Sequence, residues 1–251
     1  MAPAFGLVLL TDISPTALFL CSGVLTMLAI GTARACHTRP EQAELPVPAI
    51  HSSIRNRLYE AGTGAPAVLT ILFGAAYGSV NTFIAMMASE AGIESAGLFF
   101  IVGTCFIFIS RPFGGRLLDQ KGAFAVVMPG AVLYLFALLI IIQATSLTML
   151  LGASVFYGLG AGLLLPALMT WMINVVRADR RSAASATFYN MLDIGTSTGI
   201  LVLGGVAGSI GYIAMYWYVA GIMGLFLVFG ILQRFSGHGN GILKSRIDRR
   251  Q

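Results

Sequence analysis

The chain has 251 residues, of which 57% are hydrophobic and only 10% charged, with a formal net charge of +5. A mean hydropathy of +0.85 excludes a water-soluble domain with an ordinary polar surface and implies a protein whose main solvent is lipid. The basic balance, with a pI near 9.4, would suit nucleic acid if it were gathered in one patch. It is instead divided among four separate connections, which points to membrane topology and not to a nucleic-acid partner.

Residues 1–10, Met-Ala-Pro-Ala-Phe-Gly-Leu-Val-Leu-Leu, are apolar and read as the outer end of a clipped helix, without a basic leader ahead of them. A first span is expected over 13–33, followed by a connection over 34–65 that contains Pro40, Pro46, Pro48, Glu41, Glu44 and four arginines. That composition cannot bury itself and reads as a cytoplasmic central linker. Within it Ile50, Ile54 and Leu58 recur every four residues beside Arg55 and Arg57. This pattern suits either a short helix on the membrane surface or an unstructured solvated linker.

Six further spans are expected near 66–89, 95–111, 123–143, 147–176, 183–209 and 212–233, each near the roughly 20 apolar residues that cross a core about 30 Å thick. None shows period-2 alternation, so the fold class is all-α, a polytopic bundle of about seven transmembrane helices, and the short links make 66–233 one six-helix unit. Residues 234–251 form a basic tail.

All 15 lysines and arginines fall in alternate connections: Arg34, Arg39, Arg55 and Arg57; Arg111, Arg116 and Lys121; Arg177, Arg180 and Arg181; and Arg234, Lys244, Arg246, Arg249 and Arg250. The intervening connections carry only Asp12, Glu90 and Glu94. Positive charge is retained on the cytoplasmic side, so the expectation is a multi-pass protein of the inner or plasma membrane with a cytoplasmic C-terminus.

Glycine recurs at four-residue spacing in Gly74/Gly78, Gly158/Gly162, Gly195/Gly199 and Gly204/Gly208, which makes smooth helix faces for close packing or bending. Pro166 is an expected kink. Cys21 and Cys105 lie in spans, Cys36 in the linker, and His37, His51 and His238 in the linker or tail. With an odd cysteine count and no histidine inside the membrane, no disulfide framework, metal site or cofactor is expected.

Asp193 is the one ionisable residue well inside a span, about 15 Å from its start at 1.5 Å per residue. A carboxylate there costs about 2.5 to 3.5 kcal/mol and must be compensated or intermittently protonated, which suits proton exchange. At 100° per residue Asn190, Asp193, Ser197, Gly204 and Gly208 share a face with Ala183 and Ala186, and that face is expected to point into the bundle or a cavity, with Phe188, Leu192, Val202 and Val206 away from it. A structural alternative makes Asp193 interhelical glue, bonded for instance to Asn190. Tyr189 beside that face, and Tyr77, Asn81, Tyr157 and Trp171 on other spans, are expected to line a cavity through stacking and hydrogen bonds.

The string from Arg111 to Gly122, Arg-Pro-Phe-Gly-Gly-Arg-Leu-Leu-Asp-Gln-Lys-Gly, reads as a tight cytoplasmic turn, with Asp119 placed to cap the following helix. Gly115, Leu117, Asp119 and Gly122 resemble the Gly-x-Leu-x-Asp-x-x-Gly loop signature of the major facilitator superfamily, and Arg111-Pro112 is similar to the residues that precede it there. The resemblance implies that the chain corresponds to the end of helix five, helix six, the central loop and helices seven to twelve of that fold. Arg111, Gly115, Asp119 and Gly122 then form a cytoplasmic latch, and helices seven and ten line the central cavity. Ala2-Pro3-Ala4-Phe5-Gly6 resembles the tail of the fifth-helix antiporter motif, with Ala2 in place of its glycine.

By resemblance the expected activity is secondary transport of a small organic molecule by proton-coupled export, with protons, the lipid bilayer and either an N-terminal half or a second copy as partners. A rival is a non-transporting module or truncated remnant. An enzyme is not expected, because Gly195-Thr-Ser197-Thr-Gly199 matches Gly-x-Ser-x-Gly only formally, with no intramembrane histidine to serve as base.

Overall fold

The computed structural model describes residues 63–247, with side chains through Gln233, and positions 20, 23, 24, 26–29, 31 and 32. The chain divides into two units, Met1–Ser53 and Ile54–Gln251. In the first, the described positions are helical, and the Thr32 hydroxyl donates to the Ala29 carbonyl at 2.9 Å. The clipped N-terminal helix, the linker over 34–62 and the Ile50/Ile54/Leu58 stripe lie outside the described residues.

The second unit is helical throughout: α1 (Gly64–Glu90), α2 (Gly97–Lys121), α3 (Phe124–Ile142), α4 (Leu147–Asn174), α5 (Arg181–Ile210) and α6 (Tyr212–Ile247), with a 3-10 turn at Ala178–Arg180 before α5. No strand occurs among the described residues. Six helices among the described residues are long and apolar enough to cross a membrane, and lipid admits such segments because a helix satisfies its own backbone.

Local chemistry sets the ends. Pro66 sits in the first turn of α1, where its missing N–H has no helical partner to lose. The Ser146 hydroxyl accepts from the Met149 N–H at 3.3 Å and caps α4. Gly122 and Gly211, at φ +80° and +89°, close α2 and α5 in backbone conformations that L side chains rarely adopt. Links this short reverse the chain at each step. The starts of α1, α3 and α5 therefore gather with the ends of α2 and α4 at one end of the bundle. That end carries Arg116, Lys121, Arg177, Arg180 and Arg181 and is called the basic end below.

Two glycine seams hold the bundle. α1 packs most extensively on α5, and α4 on α2 and α3, while α6 closes against α1 and α3. In the first seam a side chain at Gly74 would meet the Leu192 carbonyl at 2.6 Å, one at Gly199 the Ala75 Cα at 2.6 Å, and one at Gly195 the Ile71 backbone. The Thr196 hydroxyl crosses this seam to the Gly74 carbonyl at 3.2 Å. In the second, Gly158 and Gly162 of α4 lie against Gly103, Ile107 and Ser110 of α2, and Gly160 faces α3 at Tyr134. Of the repeated glycines, Gly208 meets nothing within 4 Å. The core between the seams is aromatic, with Phe73 edge-on to Tyr134 at 5.4 Å and Tyr134 tilted against Tyr157 at 5.5 Å.

The expected turn at Arg111–Gly122 is corrected by the structure, since α2 continues unbroken through Pro112, Gly114 and Gly115 to Lys121. Gly114 is buried, and a side chain there would meet Leu163 of α4 at 2.7 Å. The glycine therefore serves helix packing, and tertiary contact overrides its poor helix propensity of about 1 kcal/mol. Asp119 consequently lies in the last turns of α2 and does not cap α3, whose N-cap Ala123 has no side-chain bond. Pro166 lies inside α4.

Candidate functional site

A groove of about 530 Å³ is let into the bundle among α1 to α5. Tyr77 supplies α1's contribution, Arg111, Gly114, Gly115 and Leu118 that of α2, Val126 that of α3, Leu163, Leu165, Pro166, Ala167 and Met169 that of α4, and Phe188, Tyr189 and Leu192 that of α5. Each lies between the midpoint of its helix and the basic end, so the groove runs from mid-depth toward that end. Its volume falls within the roughly 300–1,000 Å³ typical of ligand sites, and its wall is apolar with a few polar groups, as such sites are.

The extension of α2 places Arg111 in this wall. It stands ten residues, about 15 Å, before the end of α2, and its guanidinium lies 5.7 Å from the Phe108 ring centroid. Arg111 and Gly115 are one turn apart and share the groove-facing stripe, whereas Asp119 and Gly122 are exposed and outside the lining. The four residues expected to act together are thus split between the groove and the helix end.

The cavity group is also divided. Tyr77 lines the groove, but Tyr157 is buried behind it, stacked on Tyr77 at 6.3 Å with an interplanar angle of 6°. Asn81 donates to the Tyr157 hydroxyl at 3.0 Å and to the Tyr77 carbonyl at 2.8 Å, so its amide serves the α1–α4 contact. Trp171 packs edge-on against Phe124 at 5.9 Å, away from the groove lining.

For α5, the polar stripe does not turn into the six-helix bundle. Thr187, Phe188, Met191, Gly195, Gly199 and Leu203 are buried, while Asp193 and Ser197 are exposed and Asn190 is half-buried. Two residues at 100° each set Asp193 about 160° from Gly195, and the glycine face is the one α1 approaches at backbone distance. The polar stripe therefore lies on the outside of the six-helix unit. Tyr189, 54% exposed, joins that stripe to the groove. Among the described residues the Asp193 carboxylate has no hydrogen-bond or ion-pair partner, so the glue alternative through Asn190 finds no support there.

Glu90, at the end of α1, is a contact sequence reasoning missed. Its carboxylate accepts from the Tyr212 N–H at 2.7 Å and thereby caps the start of α6. Groups of histidine, cysteine and carboxylate that could hold a metal are absent among the described residues.

Six helices long and apolar enough to cross a membrane, with a partly polar groove let into their bundle, define a polytopic helical membrane protein. The family model for the Major Facilitator Superfamily matches residues 67–241. The chain belongs to the major facilitator superfamily. Solved structures with a similar fold include a mutant of the peptide transporter POT in complex with alafosfalin, at 20% identity and a TM-score of 0.61 over 69% of this chain and 38% of that one. The same mutant transporter in complex with sulfate gives 20% identity and a TM-score of 0.60 over 69% of this chain and 37% of that one. The chain thus spans less than two fifths of the length of these transporters. No curated protein matches it.

Proposed function

We propose that the chain forms one wall of a secondary transporter for a small organic molecule, works by proton-coupled export, and requires a second half, either an N-terminal partner or another copy. The observation that carries this reading is the exposed Asp193 stripe running into the groove at Tyr189. A bare carboxylate at mid-depth in lipid is costly, so that face suits protein or a water-filled cavity as its neighbour. Alternating access rocks two halves about a site between them, and a groove bordered by an ionisable group is the kind of surface such a site needs. Asp193 carries the coupled proton, with Asn190, Ser197 and Tyr189 beside it. Tyr77 contacts substrate, while Asn81 and Tyr157 hold Tyr77 in place and Trp171 anchors α4. Of the loop signature, Asp119 and Gly122 serve as the latch at the cytoplasmic end while Arg111 and Gly115 stand in the groove wall, residues 34–65 form the cytoplasmic linker, and 234–251 the cytoplasmic tail.

The test uses vesicles loaded with a pH-sensitive dye and containing the chain together with its complementary half. Carboxylates, amines and neutral aromatics are supplied in turn, and substrate-dependent proton movement is recorded. The expected result is proton flux with one class, lost in Asp193→Asn although substrate counterflow persists. Intact coupling in Asp193→Asn at equal protein level overturns the role of Asp193, and robust transport by the chain alone overturns the need for a second half.

A further inference from the structure

Among the described residues, Arg111 is the only charged one in the groove lining, with no aspartate or glutamate beside it there. Arg111 stands about 15 Å before the end of α2, exposed to the open groove, in a wall otherwise made of glycine, apolar side chains and two tyrosines. Among the described residues it forms no ion pair. Its ring neighbour Phe108 belongs to its own helix and leaves the charge uncompensated. The acids nearby are otherwise placed: Asp119 is exposed two turns further along α2, Asp179 pairs with Arg177 at 3.5 Å, and Asp193 stands one turn past Tyr189 outside the lining.

A cation bordered by apolar groove walls attracts an anion more strongly than one surrounded by water on all sides does, and a guanidinium fork matches the paired oxygens of a carboxylate or sulfonate. Tyr77 and Tyr189 present hydroxyls and ring faces, and Leu163, Pro166 and Leu192 provide apolar surface. We infer that the groove binds a small soluble organic anion, a carboxylate or sulfonate with an apolar or aromatic body, whose charge is held by Arg111. The inference rests on the transport reading in naming the substrate class, but the site itself is defined by charge and shape.

The experiment is equilibrium binding of labelled 2-naphthoate to the purified chain in phosphatidylcholine nanodiscs, with 2-naphthylmethylammonium as the matched cation. Wild type is expected to bind naphthoate saturably and at least tenfold more tightly than the cation. Arg111→Gln should weaken naphthoate at least tenfold, Arg111→Lys less, and Arg116→Gln, an exposed site outside the groove, not at all. Unchanged helix content in each variant separates loss of binding from loss of fold. Equal affinity for the cation, or unchanged naphthoate binding in Arg111→Gln, overturns the inference. So does retention of phosphatidylglycerol by wild type with no naphthoate bound, because the occupant is then a lipid headgroup. Binding needs no gradient and no flux, so failure here with proton-coupled movement of another substrate removes the anion class alone. Naphthoate binding by the chain, with no flux of any substrate in vesicles that also contain the complementary half, removes the transport reading instead.

Discussion

Substitution of Gly199 by alanine tests whether the α1–α5 seam sets the geometry of the site. The added Cβ would stand 2.6 Å from the Ala75 Cα and 2.7 Å from its carbonyl oxygen, both backbone atoms of a packed helix. Ordinary contact begins at 3.4 Å, so the two helices must part locally by about 0.8 Å. A radial gap of that size forfeits a quarter to a half of the dispersion attraction of each contact along the seam. Parting also stretches the 3.2 Å bond from Thr196 to Gly74, and interhelical bonds of this kind contribute about 0.6 kcal/mol in membrane proteins. Overpacking of a close seam costs about 1 to 3 kcal/mol, and the improved helix propensity of alanine returns about 1 kcal/mol at most. The net expectation is a loss of about 0.5 to 2 kcal/mol, measured as reversible unfolding in mixed micelles by circular dichroism. Gly205→Ala is the control, because open space surrounds that position, and it should be neutral or slightly stabilising. A Gly199→Ala protein as stable as Gly205→Ala would refute the seam argument.

Two further outcomes test other parts of the structure. Glu90→Ala removes the carboxylate that accepts from the Tyr212 N–H and should cost about 0.5 to 2 kcal/mol, as loss of a helix cap does, with the same unfolding assay as readout. With the native cysteines replaced, a cysteine at Gln120 should react with a membrane-impermeant maleimide only after cells are permeabilised, and one at Glu94 in intact cells. Labelling in the opposite sense would reverse the orientation and, with it, the side from which the groove opens.

The helices were legible because long apolar runs have one solution in lipid, and the superfamily was legible from Gly115, Leu117, Asp119 and Gly122. Those same residues misled where local composition was used to infer shape. Proline and two glycines look like a turn, yet Gly114 is helical because Leu163, 49 positions later in the chain, packs where its side chain would be. Periodicity correctly grouped Asn190, Asp193 and Ser197 on one face of α5, but a helical wheel carries no arrow saying which face turns inward. The close approach at Gly195 and Gly199 decides that, and it depends on Ile71 and Ala75 of another helix. The Glu90–Tyr212 contact joins residues 122 apart and leaves no local sign. Arg111 was assigned to a loop for the same reason that Gly114 was: its helix ends later than apolarity alone indicates.

The glycine seams also constrain how the groove can change width. One bank belongs to the α1–α5 pair and the other to the α2–α4 pair, and within each pair the backbones already touch. Widening by prying apart partners would sacrifice the tightest packing in the molecule, whereas sliding one doublet past the other leaves both seams whole. Any change in groove width is thus expected as a shear between two stiff planks, along the more sparsely packed boundary between α4 and its neighbours α1 and α5.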